Sequence, residues 1–322
     1  MTGRVKELDG LRALACFGVI QSHMGGFFAG GTLGVDVFLV LSAYLLATRL
    51  LREREQTGSV DVVRFYGRRI RRIWPLYFIV LGTAVLLSPR TEMPFLLPTA
   101  FFVSNFALAW TAQTPAFTGP MWSTGLEEQF YAVVPWFVRS RGALRRAGWA
   151  LLALGFACRA ASFSLTNHAY FWSWHVFRWD AFAAGLLLAT ETRLPALRAP
   201  ARWGVILAGI ALAVVASPFV QAIVFWSQPL MAVAAALIVF GALTGRDAVL
   251  GHRVLAWLGE RTYGMYLFHL GLVMTLPWHL ALVSTVALAA LSYRFLERPI
   301  LDYRRPDAPR VGLSRAQVDW PN

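Results

Sequence analysis

Cysteine and charge are both scarce in this chain. Only 2 of its 322 residues are Cys, and Asp, Glu, Lys and Arg together make up 15%. Cys16 and Cys158 lie inside apolar segments, so they outline no disulfide framework and do not look like metal ligands. There is no Gly-x-Gly-x-x-Gly loop, no Walker sequence and no internal repeat. No small-residue cleavage site follows the first apolar run, so that run is expected to stay in the protein as a helix rather than leave as a signal peptide. What is plentiful is apolar: 57% of residues are hydrophobic, with 13 Trp and 23 Phe, far above what a soluble domain of this length carries. The fold expected is all-α, a polytopic membrane helical bundle.

Segments long enough, or nearly so, to cross a bilayer run at 9–26, 33–51, 73–89, 94–111, 124–138, 147–163, 176–190, 203–217, 222–244, 262–277 and 279–296. The net charge of +13 orients them, because basic residues in short loops mark the cytoplasmic side. Basic clusters recur before the first segment, from Arg49 to Arg72, from Arg139 to Arg146, from Arg193 to Arg202, from Arg246 to Arg261, and at Arg304 with Arg305. Three segments lie between the second and third clusters, where only an even number can cross. The segment 124–138 holds Glu127, Glu128 and Gln129 and is therefore expected to be partial or re-entrant, a form tolerated only inside protein or beside a wet cavity. The count becomes about ten transmembrane helices plus that partial helix, with both termini cytoplasmic. Residues 1–303 read as one membrane domain and 304–322 as a polar, disordered cytoplasmic tail. Topology and contact with anionic membrane lipids account for the excess of arginine, so nucleic acid is not expected as a partner. The sequence is silent on oligomeric state.

Two ionisable residues stand in the first segment, "LDGLRALACFGVIQSHMGG". Arg12 and His23 are eleven positions apart, close to three turns, and so share a face about 16 Å apart along the axis. Singly, Arg12 reads as a snorkelling anchor paired with Asp9, and His23 as a buried imidazole satisfied by a neighbour. Together on one face they point to a lined pathway or a reaction site. Asp36 opens the second segment, where it serves the helix dipole or orients His23, with neither reading preferred. Arg69 and Arg72, at i and i+3, suit phosphate oxygens and equally suit lipid anchoring.

In "GPMWSTGLEEQFYAVVPWF", Glu127 shares a helical face with Phe130 and Tyr131 and is a candidate base partner, or a counter-ion for Arg12 or for the basic cluster. Arg178 reads as site-lining, Asp180 as structural, and His269 as a satisfied buried histidine rather than a second base. His168, His175, His252 and His279 show no metal-ligand spacing, and no metal is expected.

Taken in order, these segments resemble the acyltransferase 3 family of integral membrane O-acyltransferases. The matches are the Arg12 and His23 pair within "LDGLRALACFGVIQSH", then "GVDVFLVLSAYLL", "FYGRRIRRIWPLY", "WSTGLEEQFY", "RWDAFAAG", "LGERTYGMYLFHL" and "YRFLERP". They run in family order from about Glu7 to Pro299. Departures are "SAY" for the usual Ser-Gly-Phe, and Thr124 and Gly125 for a more apolar pair.

The resemblance implies a multi-pass protein of a bacterial inner membrane that moves an acyl group, most often acetyl, from acyl-CoA to a hydroxyl of a glycan or other acceptor. His23 is then the general base, with Glu127 or Asp36 holding its tautomer, and an acyl-histidine is the competing mechanism. Arg12, Arg69 and Arg72 would bind the donor, and Trp122, Ser123, Tyr131 and Arg178 would line the substrate site. Acyl-CoA enters as a donor substrate, and no permanent cofactor is implied. The resemblance is to the stand-alone form, without the appended extracytoplasmic hydrolase-like domain of some members. The alternatives are acylation of a macrolide-type molecule, and a proton-coupled transporter or flippase, which also uses intramembrane Arg, His and Glu.

Overall fold

The apolar segments appear as helices joined by short turns, with no strand among the described residues. The computed structural model describes residues 5–25, 33–166, 172, 175–216 and 224–302. The helices are α1 (Lys6–His23), α2 (Leu33–Thr57), α3 (Val62–Leu87), α4 (Met93–Ala100), α5 (Ser104–Thr111), α6 (Met121–Phe137) and α7 (Arg141–Leu165). They continue as α8 (Trp179–Ala189), α9 (Ala199–Ala216), α10 (Val224–Leu243), α11 (Arg253–Gly259), α12 (Thr262–Thr275) and α13 (Trp278–Ser292). A π-helical turn, Tyr293–Glu297, carries α13 into a last short helix, α14 (Arg298–Asp302). Arg4, Gly26 with the connection after it, His168, and the expected tail at 304–322 lie outside the described residues.

Six helices are long and apolar enough to cross a membrane: α2, α3, α7, α9, the stretch Phe225–Leu243 of α10, and Trp278–Asp302. Their outward surfaces stay apolar, with Leu86, Leu87, Leu165, Val283 and Phe295 all exposed, as lipid-facing residues are.

The basic stretch and the apolar stretch near residue 70 are one helix. Asp61 caps α3 by accepting from the Arg64 amide at 2.8 Å, and the helix then runs through the arginines and Pro75 to Leu87 without a break.

The helical backbone is interrupted at 101–103, whereas the expected partial or re-entrant segment 124–138 lies almost wholly within one unbroken helix. Residues 94–111 divide into α4 and α5, of 8 residues each, or about 12 Å per helix, well short of a hydrocarbon core of about 30 Å. Residues 121–137 instead form one continuous 17-residue helix. The turn between α4 and α5 needs Phe102 at φ 59, a left-handed conformation rare for a bulky residue. Several contacts hold it. Tyr77 stacks on the Phe102 ring at 4.5 Å and donates to the Thr99 carbonyl at 2.8 Å. Gln129 donates to the Phe102 carbonyl at 2.8 Å and to Asn105 Oδ1 at 2.9 Å. Gly125 lets α6 close in, since a Cβ there would strike the Phe102 carbonyl. Gln129 and Gly125 are thus the partners of a broken neighbour rather than signs that α6 itself is broken.

At the centre lies α2, packed by α1, α6, α8 and α10. Leu39, Val40, Leu41, Ala43, Leu46, Ala47 and Leu50 are buried along it. Lipid is as apolar as leucine, so close backbone approach and polar contacts, rather than escape from water, hold membrane helices together. Gly185 supplies such an approach: a Cβ there would meet the Val40 carbonyl, so α8 can lie directly on α2.

Candidate active site

α6 carries a polar stripe at i, i+4 and i+8: Ser123, Glu127 and Tyr131. That spacing puts all three on one face over about 12 Å. Each meets a different helix. Ser123 Oγ lies 2.7 Å from the Tyr266 hydroxyl of α12. Glu127 accepts from Ser42 of α2 at 2.6 Å. The Tyr131 ring lies 5.2 Å beneath the Arg69 guanidinium of α3.

The Glu127 end forms one cluster. Tyr131 also hydrogen-bonds the carboxylate, and the charges of Arg69 and Arg12 reach it. Arg12 lies 3.5 Å from Asp9, one turn away on α1. Of the two arginines spaced for phosphate, only Arg69 turns inward. Arg72 is exposed, with Glu297 within reach of its charge. Glu128 points elsewhere and accepts from the Trp74 indole at 3.3 Å, so it is a helix-pairing contact rather than a solvent-facing charge.

The other end is a pair of histidines. His23, exposed at the end of α1, places Nδ1 3.1 Å from the Val19 carbonyl and 3.1 Å from His269 Nε2 on α12. His269 is fully buried, and its Nδ1 lies 2.6 Å from the Tyr266 carbonyl. No described residue hydrogen-bonds Nε2 of His23. Tyr266 joins the two ends: its carbonyl holds His269, and its hydroxyl holds Ser123. One turn of α12 therefore links the histidines to the stripe.

Neither carboxylate expected to orient His23 does so. Asp36 is buried against Arg178 Nη2 at 2.5 Å, and Gln228 of α10 accepts from Arg178 Nε at 3.1 Å. Glu127 is engaged with Ser42 and Tyr131. A helix-opening Asp next to a Gly-rich connection could not be assigned from sequence because its partner lies 142 positions away. Arg178 sits at the start of α8 with its guanidinium 5.9 Å from the Trp122 ring, so it ties α2, α6, α8 and α10 together. Asp180 forms a buried bidentate pair with Arg159 of α7, with one of its two bonds at 2.9 Å, and is structural as expected. Trp122 packs edge-on against His175 at 4.8 Å.

His269 is the satisfied buried histidine that the sequence suggests, but its partner is His23, and neither that pairing nor the place of Tyr266 is foreseen. The signal was present: "YLFH" puts Tyr266 and His269 three positions apart on one face, the same pairing of polar groups in an apolar helix that singled out Arg12 and His23.

Comparison with known proteins places the chain among acyltransferases. Peptidoglycan O-acetyltransferase OatA of Listeria monocytogenes is 28% identical over 347 residues, which cover 92% of this chain and 56% of that protein. "Putative peptidoglycan O-acetyltransferase YrhL" of Bacillus subtilis is also 28% identical, over 350 residues covering 92% of this chain and 55% of its own length. The chain thus spans just over half the length of these relatives. No solved structure matches it. The model of the family described as an acyltransferase domain matches residues 5–294, nearly the whole chain, and the chain belongs to the acyltransferase 3 family.

Proposed function

We propose that this protein is a membrane O-acetyltransferase that moves an acetyl group from acetyl-CoA to a hydroxyl of a cell-wall glycan of the peptidoglycan type, with His23 as general base. The observation that carries the reading is the polar stripe of α6, which runs from Arg69 to the Tyr266, His269 and His23 group through otherwise apolar helices. Polar groups in membrane helices are expensive and are kept where a substrate or proton must pass. The glycan acceptor is taken from the names of the relatives.

In this reading, about ten helices cross a bacterial plasma membrane, and both termini and the basic clusters face the cytoplasm. Arg69, Arg72 and Arg12 hold the phosphates of the donor at that face, and its thioester arm lies along the stripe. The acceptor hydroxyl gives its proton to His23 Nε2 while its oxygen attacks the thioester carbonyl. The oxyanion that forms is met by the Ser123 and Tyr266 hydroxyls. Its collapse breaks the carbon–sulfur bond, and the proton on His23 passes to the departing CoA thiolate. Trp122 and Arg178 shape the wall of the acceptor site.

The test is CoA release from acetyl-CoA by the purified protein in lipid discs, with peptidoglycan fragments as acceptor. Acceptor-dependent release in the wild type, reduced by about 10²- to 10⁴-fold in His23→Ala, is expected from loss of a general base. Release that continues without an acceptor, with acetyl retained on the protein, would replace direct transfer by an acyl-histidine. No release and no detectable CoA binding would overturn the proposal.

A further inference from the structure

Two acceptors converge on one nitrogen of His23. The Val19 carbonyl and His269 Nε2 each lie 3.1 Å from its Nδ1. A carbonyl only accepts, so Nδ1 of His23 carries a proton. By the same rule the Tyr266 carbonyl, 2.6 Å from His269 Nδ1, fixes the proton of His269 there. The remaining Nε2 of His269 is then a lone pair aimed at the His23 N–H. A doubly protonated His269 would set two N–H groups against each other across 3.1 Å. The chain therefore has a direction: His23 Nδ1–H donates to His269 Nε2, and His269 Nδ1–H donates to the Tyr266 carbonyl.

We infer that His269 is a positioning residue that holds the His23 ring with Nε2 toward the substrate and stabilises His23 while it carries a second proton. The inference rests on the reading of His23 as general base. When a hydroxyl proton arrives at Nε2, the charge that develops is shared with Nδ1–H, whose acceptor is already in place and does not reorient. His269 itself neither gains nor loses a proton. A neutral imidazole stabilises the charge less than a carboxylate would, but it costs far less to bury between apolar helices.

From α12, His269 faces the His23 ring with centroids 5.1 Å apart, and Tyr266 lies beside His269 at 5.5 Å. Of the neighbours of α1, α2 brings Asp36, which Arg178 and Gln228 already engage. α10 has no titratable side chain, and α11 meets the opposite end of α1, where Gly259 lies on the Asp9 backbone.

Two variants separate this role from packing. His269→Phe keeps a ring but offers no acceptor, whereas His269→Gln returns an amide oxygen near the lost Nε2. In protein with ¹⁵N-labelled histidine in lipid discs, the His23 signals, assigned by their loss in His23→Ala, report its tautomer and titration midpoint without any turnover. The midpoint is expected to fall in His269→Phe, because the protonated form loses an acceptor, and to recover in His269→Gln. Acetyl transfer should fall roughly 10- to 100-fold in His269→Phe, the range for loss of an orienting partner, with the acid limb of its pH profile moved to lower pH.

An unmoved midpoint in His269→Phe, or equal shifts in both variants, overturns the inference. Should His269→Phe not fold, the wild-type spectrum decides: either ring with its proton on Nε2 overturns it. Expected midpoints without acetyl transfer from any donor would uphold the pairing and sink the proposed reaction instead.

Discussion

Gln129 of α6 donates its side-chain amide to the main-chain carbonyl of Phe102 at 2.8 Å, where α4 and α5 part among apolar helices. A carbonyl released from a helix within a membrane has no water to turn to. Gln129→Leu should therefore cost roughly 1–3 kcal/mol for each acceptor it strands, the Phe102 carbonyl and Asn105 Oδ1, and Gln129→Glu should cost more by facing acceptor with acceptor. Thermal unfolding in lipid discs would measure both. Equal stability of Gln129→Leu and wild type would mean that the break is satisfied by another group.

The Arg178 and Asp36 pair makes a different prediction. Both side chains are at most 2% exposed, so removing one partner strands a charge at a cost of about 3–5 kcal/mol. Asp36→Asn and Arg178→Met should each fold poorly. The double variant Asp36→Leu with Arg178→Met should recover much of the loss, because it leaves no lone charge. Its acetyl-transfer rate then tells whether Arg178 also serves the substrate: recovered folding with recovered activity would confine it to architecture.

Arg69 and Arg72 differ in burial, and their substitutions should differ accordingly. Arg69→Gln should raise KM for acetyl-CoA roughly 10- to 100-fold, the equivalent of one charge-assisted hydrogen bond. Arg72→Gln should raise it less, and its effect should fade as salt screens an exposed charge. Steady-state kinetics at two ionic strengths would separate them. The reverse order would place the donor on the outer side of α3.

Asp247, in the turn after α10, gives a pH prediction. Burial acts to raise its pKa, but the amides of Leu250 and Val249 and the Arg202 guanidinium outweigh that and hold the carboxyl below its usual range. A depressed folded pKa means that its stabilisation is complete above the unfolded value of about 3.9 and is lost as pH falls through the folded value. Asp247→Asn should thus lower stability by roughly 1–3 kcal/mol at pH 7, and the difference from wild type should shrink below about pH 4. Unfolding followed by Trp fluorescence at several pH values would test this. A difference that does not change with pH would show that the turn depends on shape rather than charge.

Much of the fold was legible because a membrane helix must satisfy its backbone within itself and face lipid with apolar side chains, so each span is written locally. α3 and α7 start well before the apolar segments at 73 and 147, at caps where Asp61 and Ser140 accept from amides three residues on. The break at 101–103 is not local in the same way. Glu127, Glu128 and Gln129 make 124–138 the more polar stretch, whereas 94–111 carries only the uncharged polar residues Thr99, Ser104, Asn105 and Thr111 beside Pro94 and Pro98. The cause of that break lies in other helices, in Gly125, Gln129 and Tyr77.

The sequence by itself determined that this is a helical membrane protein and which polar residues stand in apolar helices, because these follow from composition, period and spacing along one chain; the family resemblance rested on its ordered motifs. Only the tertiary structure decided the partners. Asp36 went to Arg178, Glu127 to Ser42, and His23 to His269, across separations of 142, 85 and 246 positions. A buried charge or imidazole takes whichever complementary group the packing brings within about 3 Å, and helix packing is set by side-chain shape and close backbone approach, which no local pattern records.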